Sequence, residues 1–356
     1  MVISVSRRTV RLCTAATLAG MLSLSACSHT PEGVVQGALT GIGGQSAQGA
    51  VGAWSVSWSS QVKGGSVSYS PDGAAAGLKA FRDGEAHFTA SGNSLSDAEA
   101  AAIGGLCTSD GAFSIAAGVM PVAVAVKIDG INDLVLDAPT LAGILRGELK
   151  RWNDPKIAAL NAAQTLPSRE IEILVEDGPS ETTRAVNTYL ANSPGVSWSP
   201  PQPDRWPPDV RGRTGSQPLA LANKLDDTKG GLAILDGSLI GNRFVATQLI
   251  FNGQARKMDA SSVLDAVAAG EVKTTPRSVV QELDSDAGYA LATVLYVDLC
   301  RKYSEEPLNG LTRSFAESML GDKAQKDANA YAFVMSPSKQ AISEGRLLVR
   351  TIGDAR

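Results

Sequence analysis

Residues 41–99 alternate strand patterns with turns and helix starts, and that order most narrows the folds open to this chain. Gly41-Ile42-Gly43-Gly44-Gln45-Ser46 is a Gly-rich turn before a predicted helix that ends near Trp54. Residues 67–70 alternate as a strand, and Pro71-Asp72-Gly73 turns into a helix carrying Leu78 and Phe81. Residues 86–91 read as a second strand, broken by Gly92-Asn93, and Ser96-Asp97-Ala98-Glu99 caps the next helix. Strands that alternate with helices predict an α/β fold with a parallel sheet between helices. The turns after the strands then gather at the C-terminal strand edge, where open α/β sheets bind ligands.

The pattern continues. Residues 119–126 form a continuous apolar strand, as a buried crossing element would. Residues 139–149 carry Leu141, Ile144, Leu145 and Leu149 on one helical face, Trp152-Asn153-Asp154-Pro155 punctuates, and 156–161 is a short helix. Residues 192–218 hold seven prolines without periodicity, a functional or surface loop. Beyond it the reading is helix 219–225, strands 231–235 and 244–251, and helix 261–269 with Gly270 as its cap. A mainly apolar stretch, 288–300, is strand-like at first, and helices follow at 307–320 and 337–348.

Residues 170–190 are the most suggestive ligand loop. Ile171, Ile173 and Val175 recur as in a buried strand, Asp177-Gly178-Pro179 turns, and Ser180 is a good N-cap for the helix beyond. A helix N-terminus after a tight turn favours an anion. Yet Glu176, Asp177 and Glu181 surround that turn with negative charge.

Charge and composition exclude some functions. Charged residues are 19% of the chain and the formal net charge is −4, with no basic run near aromatics, so no nucleic-acid partner is implied. Residues 1–27 read as a signal peptide: Arg7, Arg8 and Arg11, a short apolar run, then Leu24-Ser25-Ala26-Cys27. That ending resembles a bacterial lipobox, with Cys27 as the lipidated residue. Ser6-Arg7-Arg8-Thr9-Val10 fits either a twin-arginine signal or an ordinary basic n-region. Residues 28–36 are a polar tether. With Cys13 removed and Cys27 acylated, Cys107 and Cys300 remain as a disulfide in an oxidising compartment, or as two buried thiols.

These stretches together resemble PstS-type phosphate-binding proteins of ABC transporters. The resemblance rests on Val67-Ser68-Tyr69-Ser70-Pro71-Asp72-Gly73, on Phe88-Thr89-Ala90-Ser91, and most specifically on residues 141–157 with Trp152-Asn153-Asp154-Pro155. Asp177-Gly178-Pro179-Ser180-Glu181-Thr182-Thr183 resembles the family's second ligand loop, and Asp286-Ala287-Gly288-Tyr289 the return to the first lobe. It implies a two-lobe, periplasmic-binding-protein-like (type II) fold with a two-strand hinge. Lobe 1 would span 37–118 and 285–352, and lobe 2 would span 119–284. It implies a monomeric, lipid-anchored, non-catalytic protein on the outer face of the membrane, without cofactor or metal. Its partners would be a small solute and an ABC permease. The placement of Cys107 and Cys300 also resembles actinobacterial members, with both in lobe 1.

The ligand positions implied by the resemblance depart from the family. Gln45 and Ser46 stand at the first turn, where a hydroxyl and an amide hold phosphate. A serine of the second turn appears as Ala75. The aspartate that accepts the proton of hydrogen phosphate appears as Gly92. The arginine that pairs with the anion appears as Glu176. Ser180 and Thr182 match, but the glycine between them is Glu181. Arg184, Arg211 or Arg213 could restore the positive charge. Glu176 and Glu181 read either as contacts for a cationic or neutral ligand or, as favoured here, as solvated turn carboxylates. The two function classes that remain are a solute-binding lipoprotein with altered contacts and a surface-anchored interaction module. A hydrolase fares poorly: His87 lies in a strand and reads as a packed residue, and no His/Cys cluster has metal spacing. Trp152 and Asn153 read as structural, and Trp198 and Trp206 as packed within their own loop.

Overall fold

The computed structural model describes residues 37–215 and 217–354. The predicted signal peptide, the lipidation site Cys27 and the tether 28–36 lie outside the described residues. The chain opens with β1 (Gly37–Gly43), α1 (Ala47–Gln61), β2 (Gly65–Ser70), α2 (Ala74–Asp83), β3 (Phe88–Ser91) and α3 (Asp97–Ala101). β1 lies between β2 and β3 and is parallel to both, with Leu39 opposite Val67 and Gly41 opposite Phe88. The parallel core expected from the strand–helix order is present.

β1 itself was not expected, because three of its seven residues are glycine and glycine weakens a strand pattern. Here the glycines make room. A Cβ at Gly41 would lie 2.3 Å from the Phe88 ring, and one at Gly43 would lie 2.1 Å from the Ala90 carbonyl oxygen. The helix after it does not stop near Trp54. It runs on to Gln61 and buries both Trp54 and Trp58.

β4 (Ala112–Lys127) is a strand of 16 residues, buried at every position except Lys127. Next come β5 (Val135–Leu136), α4 (Ala138–Leu145), α5 (Pro155–Leu160), β6 (Glu172–Leu174), α6 (Glu181–Asn192), α7 (Pro218–Asp227) and β7 (Gly231–Asp236). α4 is shorter than expected: its cap is Arg146, and Gly147 turns the chain at φ +72. Trp152 is fully buried and donates its indole N–H to the Gly230 carbonyl at 2.9 Å, as its structural reading required. Trp198 and Trp206 are buried against the same core, so the Pro-rich loop packs on its own body.

β8 (Val245–Ala246), β9 (Gln248–Phe251), β10 (Gln254–Arg256), α8 (Ala260–Ala269), β11 (Val272–Thr275) and β12 (Ser278–Gln281) complete the central part. The single strand expected over 244–251 breaks at Thr247, whose N–H turns to the Val124 carbonyl. β13 (Ala292–Cys300), α9 (Leu308–Met319), α10 (Asp322–Ala332) and α11 (Lys339–Arg350) close the chain. The stretch 288–300 is a strand in its second part, not its first. α10 was unexpected: its buried face is Ala324, Gln325, Ala328 and Ala332, too small and too mixed to make an apolar stripe.

The main sheet runs β11-β12-β4-β13-β3-β1-β2, with β7 and β8 on the far half of β4 and β6 on β7. β4 changes partners along its length. Residues 112–121 pair with β13, and 122–127 pair with β7. Two large buried clusters follow. One joins residues between 39 and 120 to residues between 295 and 352, around Trp54, Phe88, Phe113 and Phe315. The other lies between 119 and 291, with Met335, around Trp152, Leu145, Val186 and Tyr289. Tyr289 is fully buried and donates to the Val122 carbonyl at 2.7 Å, fastening the return segment to β4 where the partners change.

Cys107 and Cys300 are bonded, with Cα atoms 5.1 Å apart and a separation of 193 positions in sequence. Closing a loop of that size stabilises the fold by about 4–5 kcal/mol in the chain-entropy model. Intact-mass spectrometry of the protein without reductant should therefore read two hydrogens below the reduced form. Cys107→Ser should lower the melting temperature by several degrees. An unchanged mass on reduction would contradict the bond.

Candidate functional site

The Gly-rich turn after β1 and the turn after β3 meet the start of α6 from the other buried cluster. Ser46 immediately precedes α1, but its hydroxyl makes no cap bond to that helix. It donates instead to Oε2 of Glu181. The Gly92 amide donates to Oε1 of the same carboxylate at 2.5 Å. Thr293 of β13 donates to the Glu181 carbonyl at 3.4 Å. Three elements remote from α6 in sequence thus converge on its first residue.

The seat is cut to this side chain. A Cβ at Gly44 would lie 2.7 Å from Glu181 Oε1, and one at Gly92 would lie 2.8 Å from Thr293 Cγ2 and 3.2 Å from Glu181 Cγ. Tyr69 holds the turn by donating to the Gly44 carbonyl at 2.8 Å. Burial, and then the negative charge of Glu181 and Asp72, push the Tyr69 hydroxyl far above the usual phenol range, so it stays a donor.

A second group lies behind the first. Glu176, at the end of the segment after β6, is only 7% exposed and accepts the Thr182 hydroxyl at 2.9 Å. Ser180 caps α6 by accepting the Thr183 amide at 3.1 Å, and its hydroxyl lies 2.8 Å from that of Thr182. Burial pushes the Glu176 carboxyl up. Hydrogen bonds from Ser180 and Thr182 oppose this, while Glu181 and Asp236 add to the rise. Asp236 at the end of β7 is likewise raised, by burial first and by Glu181 last. These are not solvated turn carboxylates, and the reading favoured from sequence is corrected here: the turn folds Glu176 inward beneath the start of α6.

Of the residues named from sequence, Ser46, Gly92 and Glu181 are in direct contact, and Glu176, Ser180 and Thr182 form the adjoining network. Gln45 is half-buried in the first turn, and Ala75 is exposed on the first turn of α2. Two of the three arginines considered as replacements are engaged elsewhere. Arg184 pairs with Asp204 at 3.7 Å, and Arg213 donates to the Pro207 carbonyl at 2.7 Å. Arg211 lines a surface cavity of about 560 Å³ with Gly147, Lys150 and Lys224. His87 accepts the Thr40 amide at 2.8 Å on Nδ1, and burial holds its pKa below the ordinary value, a packed neutral ring. Asp236 and Thr293 were missed. Asp236 ends a strand, so the rule that ligands gather at strand C-termini could have pointed to it. Thr293 carries no such signal.

The PBP superfamily domain matches residues 28–323. The chain belongs to the PBP superfamily. Phosphate-binding protein PstS 3 of Mycobacterium tuberculosis (strain ATCC 25618 / H37Rv) is 26% identical over 329 residues, covering 85% of this chain and 88% of the relative. Phosphate-binding protein PstS of Xylella fastidiosa is 23% identical over 350 residues, covering 92% of each. Among solved structures, the phosphate-bound periplasmic protein PfluDING superposes with a TM-score of 0.66 at 14% identity, covering 89% of this chain and 99% of that one. A putative phosphate ABC transporter substrate-binding protein from Clostridium perfringens gives 0.58 at 13%, covering 84% and 99%. The PstS-type resemblance and the two-lobe fold read from the sequence are borne out.

The raised Glu176 carboxyl has a stability consequence. A group whose folded pKa lies above its unfolded value binds more protons when folded, so stability falls as pH rises through the folded pKa. Glu176→Gln keeps an acceptor for Thr182 and removes the buried charge. It should raise stability by roughly 1 kcal/mol at pH 8 and by less as pH approaches 4. Thermal melts across that range check it; a difference independent of pH would contradict the assignment.

Proposed function

We propose that this chain is an extracytoplasmic solute-binding lipoprotein of the PstS type whose phosphate contacts have degenerated. In this reading lobe 1 spans 37–118 and 285–352, lobe 2 spans 119–284, and the lobes close by hinge motion where β4 and the 285–291 return cross. Cys27 carries the lipid, and an ABC permease receives the solute. The protein performs no catalysis and acts as a monomer. Among the described residues no helix is long and apolar enough to cross a membrane, in keeping with attachment through a lipid.

One observation carries the altered ligand set. The Ser46 hydroxyl and the Gly92 amide, donors suited to an oxyanion, are taken by the carboxylate of Glu181. Behind it Glu176 occupies the position where the resemblance places an anion-pairing arginine. A phosphate entering there would meet buried like charge, which is costly in a desolvated cleft. The relatives named as phosphate-binding support the scaffold and its transport class, not retention of the ligand.

A second reading is a surface-anchored module that kept the scaffold and transports nothing. It is favoured by the same fact, since the cleft's donors are satisfied from within. Calorimetric titration of the folded, unlipidated protein separates these readings. Inorganic phosphate should show no micromolar binding; a micromolar or tighter value would overturn the degenerate-site reading. Tight binding of a sugar, amine or other polar solute would support transport and exclude the module. Silence across that panel would support the module.

A further inference from the structure

We propose that Glu181 is a built-in counter-ligand: a tethered carboxylate that fills the oxyanion seat of lobe 1, latches the lobes together, and excludes small anions. The proposal rests on the two-lobe binding-protein reading above and deepens it by naming what holds the cleft shut.

The partners of Glu181 lie 135, 89 and 112 residues away in sequence, at Ser46, Gly92 and Thr293. All three belong to elements of the first lobe, while Glu181 is the first residue of α6 in the second. Its carboxylate therefore makes the kind of cross-cleft contact that a bound ligand makes in a hinged protein. The two hydrogen bonds to the carboxylate, from Ser46 and Gly92, are charge-assisted, which makes them about twice as strong as neutral ones. Glu181 also sits at a helix N-terminus, where the backbone dipole favours negative charge.

The seat is specific to it. Gly44 and Gly92 leave the space that the carboxylate and its Cγ fill, and any Cβ at Gly44 would collide with it. Ser46 precedes α1 without capping it and gives its hydroxyl to Glu181 instead. Tyr69 locks the Gly44 carbonyl and so orients the turn. An internal group on a short tether acts at an effective concentration in the millimolar range, so a dilute external anion has to out-compete it to bind.

The test compares wild type with Glu181→Ala and Glu181→Asp by small-angle X-ray scattering and by calorimetry with inorganic phosphate. Glu181→Asp keeps the charge and the helix start but is one methylene too short to reach both Ser46 and Gly92, so it remains informative should the alanine variant fold poorly. Wild type should keep one radius of gyration with and without phosphate. Both variants should show a larger radius without phosphate. Glu181→Ala should gain about ten-fold or more in phosphate affinity and contract on binding. Radii equal to wild type in both variants would overturn the latch. So would an expanded Glu181→Ala that gains no phosphate affinity, because the seat would then not be an anion seat. Micromolar phosphate binding by wild type would instead overturn the degenerate-site reading, which keeps the two failures distinguishable.

Discussion

Everything in this molecule hangs on the burial of β4. A strand of 16 residues with all but its last residue buried must be covered on both faces and paired on both sides. The chain meets that demand with different partners at each end: β13 and β12 along the first part, β7 and β8 along the second. Two cores then form around one strand instead of around two separate sheets. The return segment is bound to β4 by Tyr289 at the point where partners change.

The turns after β1 and β3 face the start of α6, and the identity of a few side chains decides what fits between them. The Ser46 hydroxyl and the Gly92 amide both donate to the Glu181 carboxylate, and Glu176 lies behind it on the Thr182 hydroxyl. Gly92 carries no side chain, and that leaves the room the Glu181 side chain fills. The Ser180 and Thr182 hydroxyls are turned inward to the α6 cap and to Glu176.

The scaffold was legible because its signals are local. Ser96 with Glu99, Asp154 with Pro155 and Ser180 with its helix are caps that need only a few neighbouring residues to be recognised. β1 and α10 escaped because close packing made them glycine-rich and alanine-rich, removing the large apolar residues that reveal periodicity. The site was half legible. Gly92, Glu176 and Glu181 each stood out as departures from a motif. That Glu181 reaches Gly92 across 89 residues is a property of the tertiary fold, and the burial of Glu176 follows from a turn geometry that the letters Asp-Gly-Pro do not determine.

The disulfide adds a topological consequence. Cys107 and Cys300 lie on either side of nearly all of the second core, 193 positions apart in sequence. The first core is assembled from two remote parts of the chain, and this bond joins them covalently. A protease that cuts once anywhere in the intervening excursion, including the proline-rich loop, leaves a nicked chain whose two pieces stay in one molecule. Loss of order in the inserted part then need not separate the two halves of the first core.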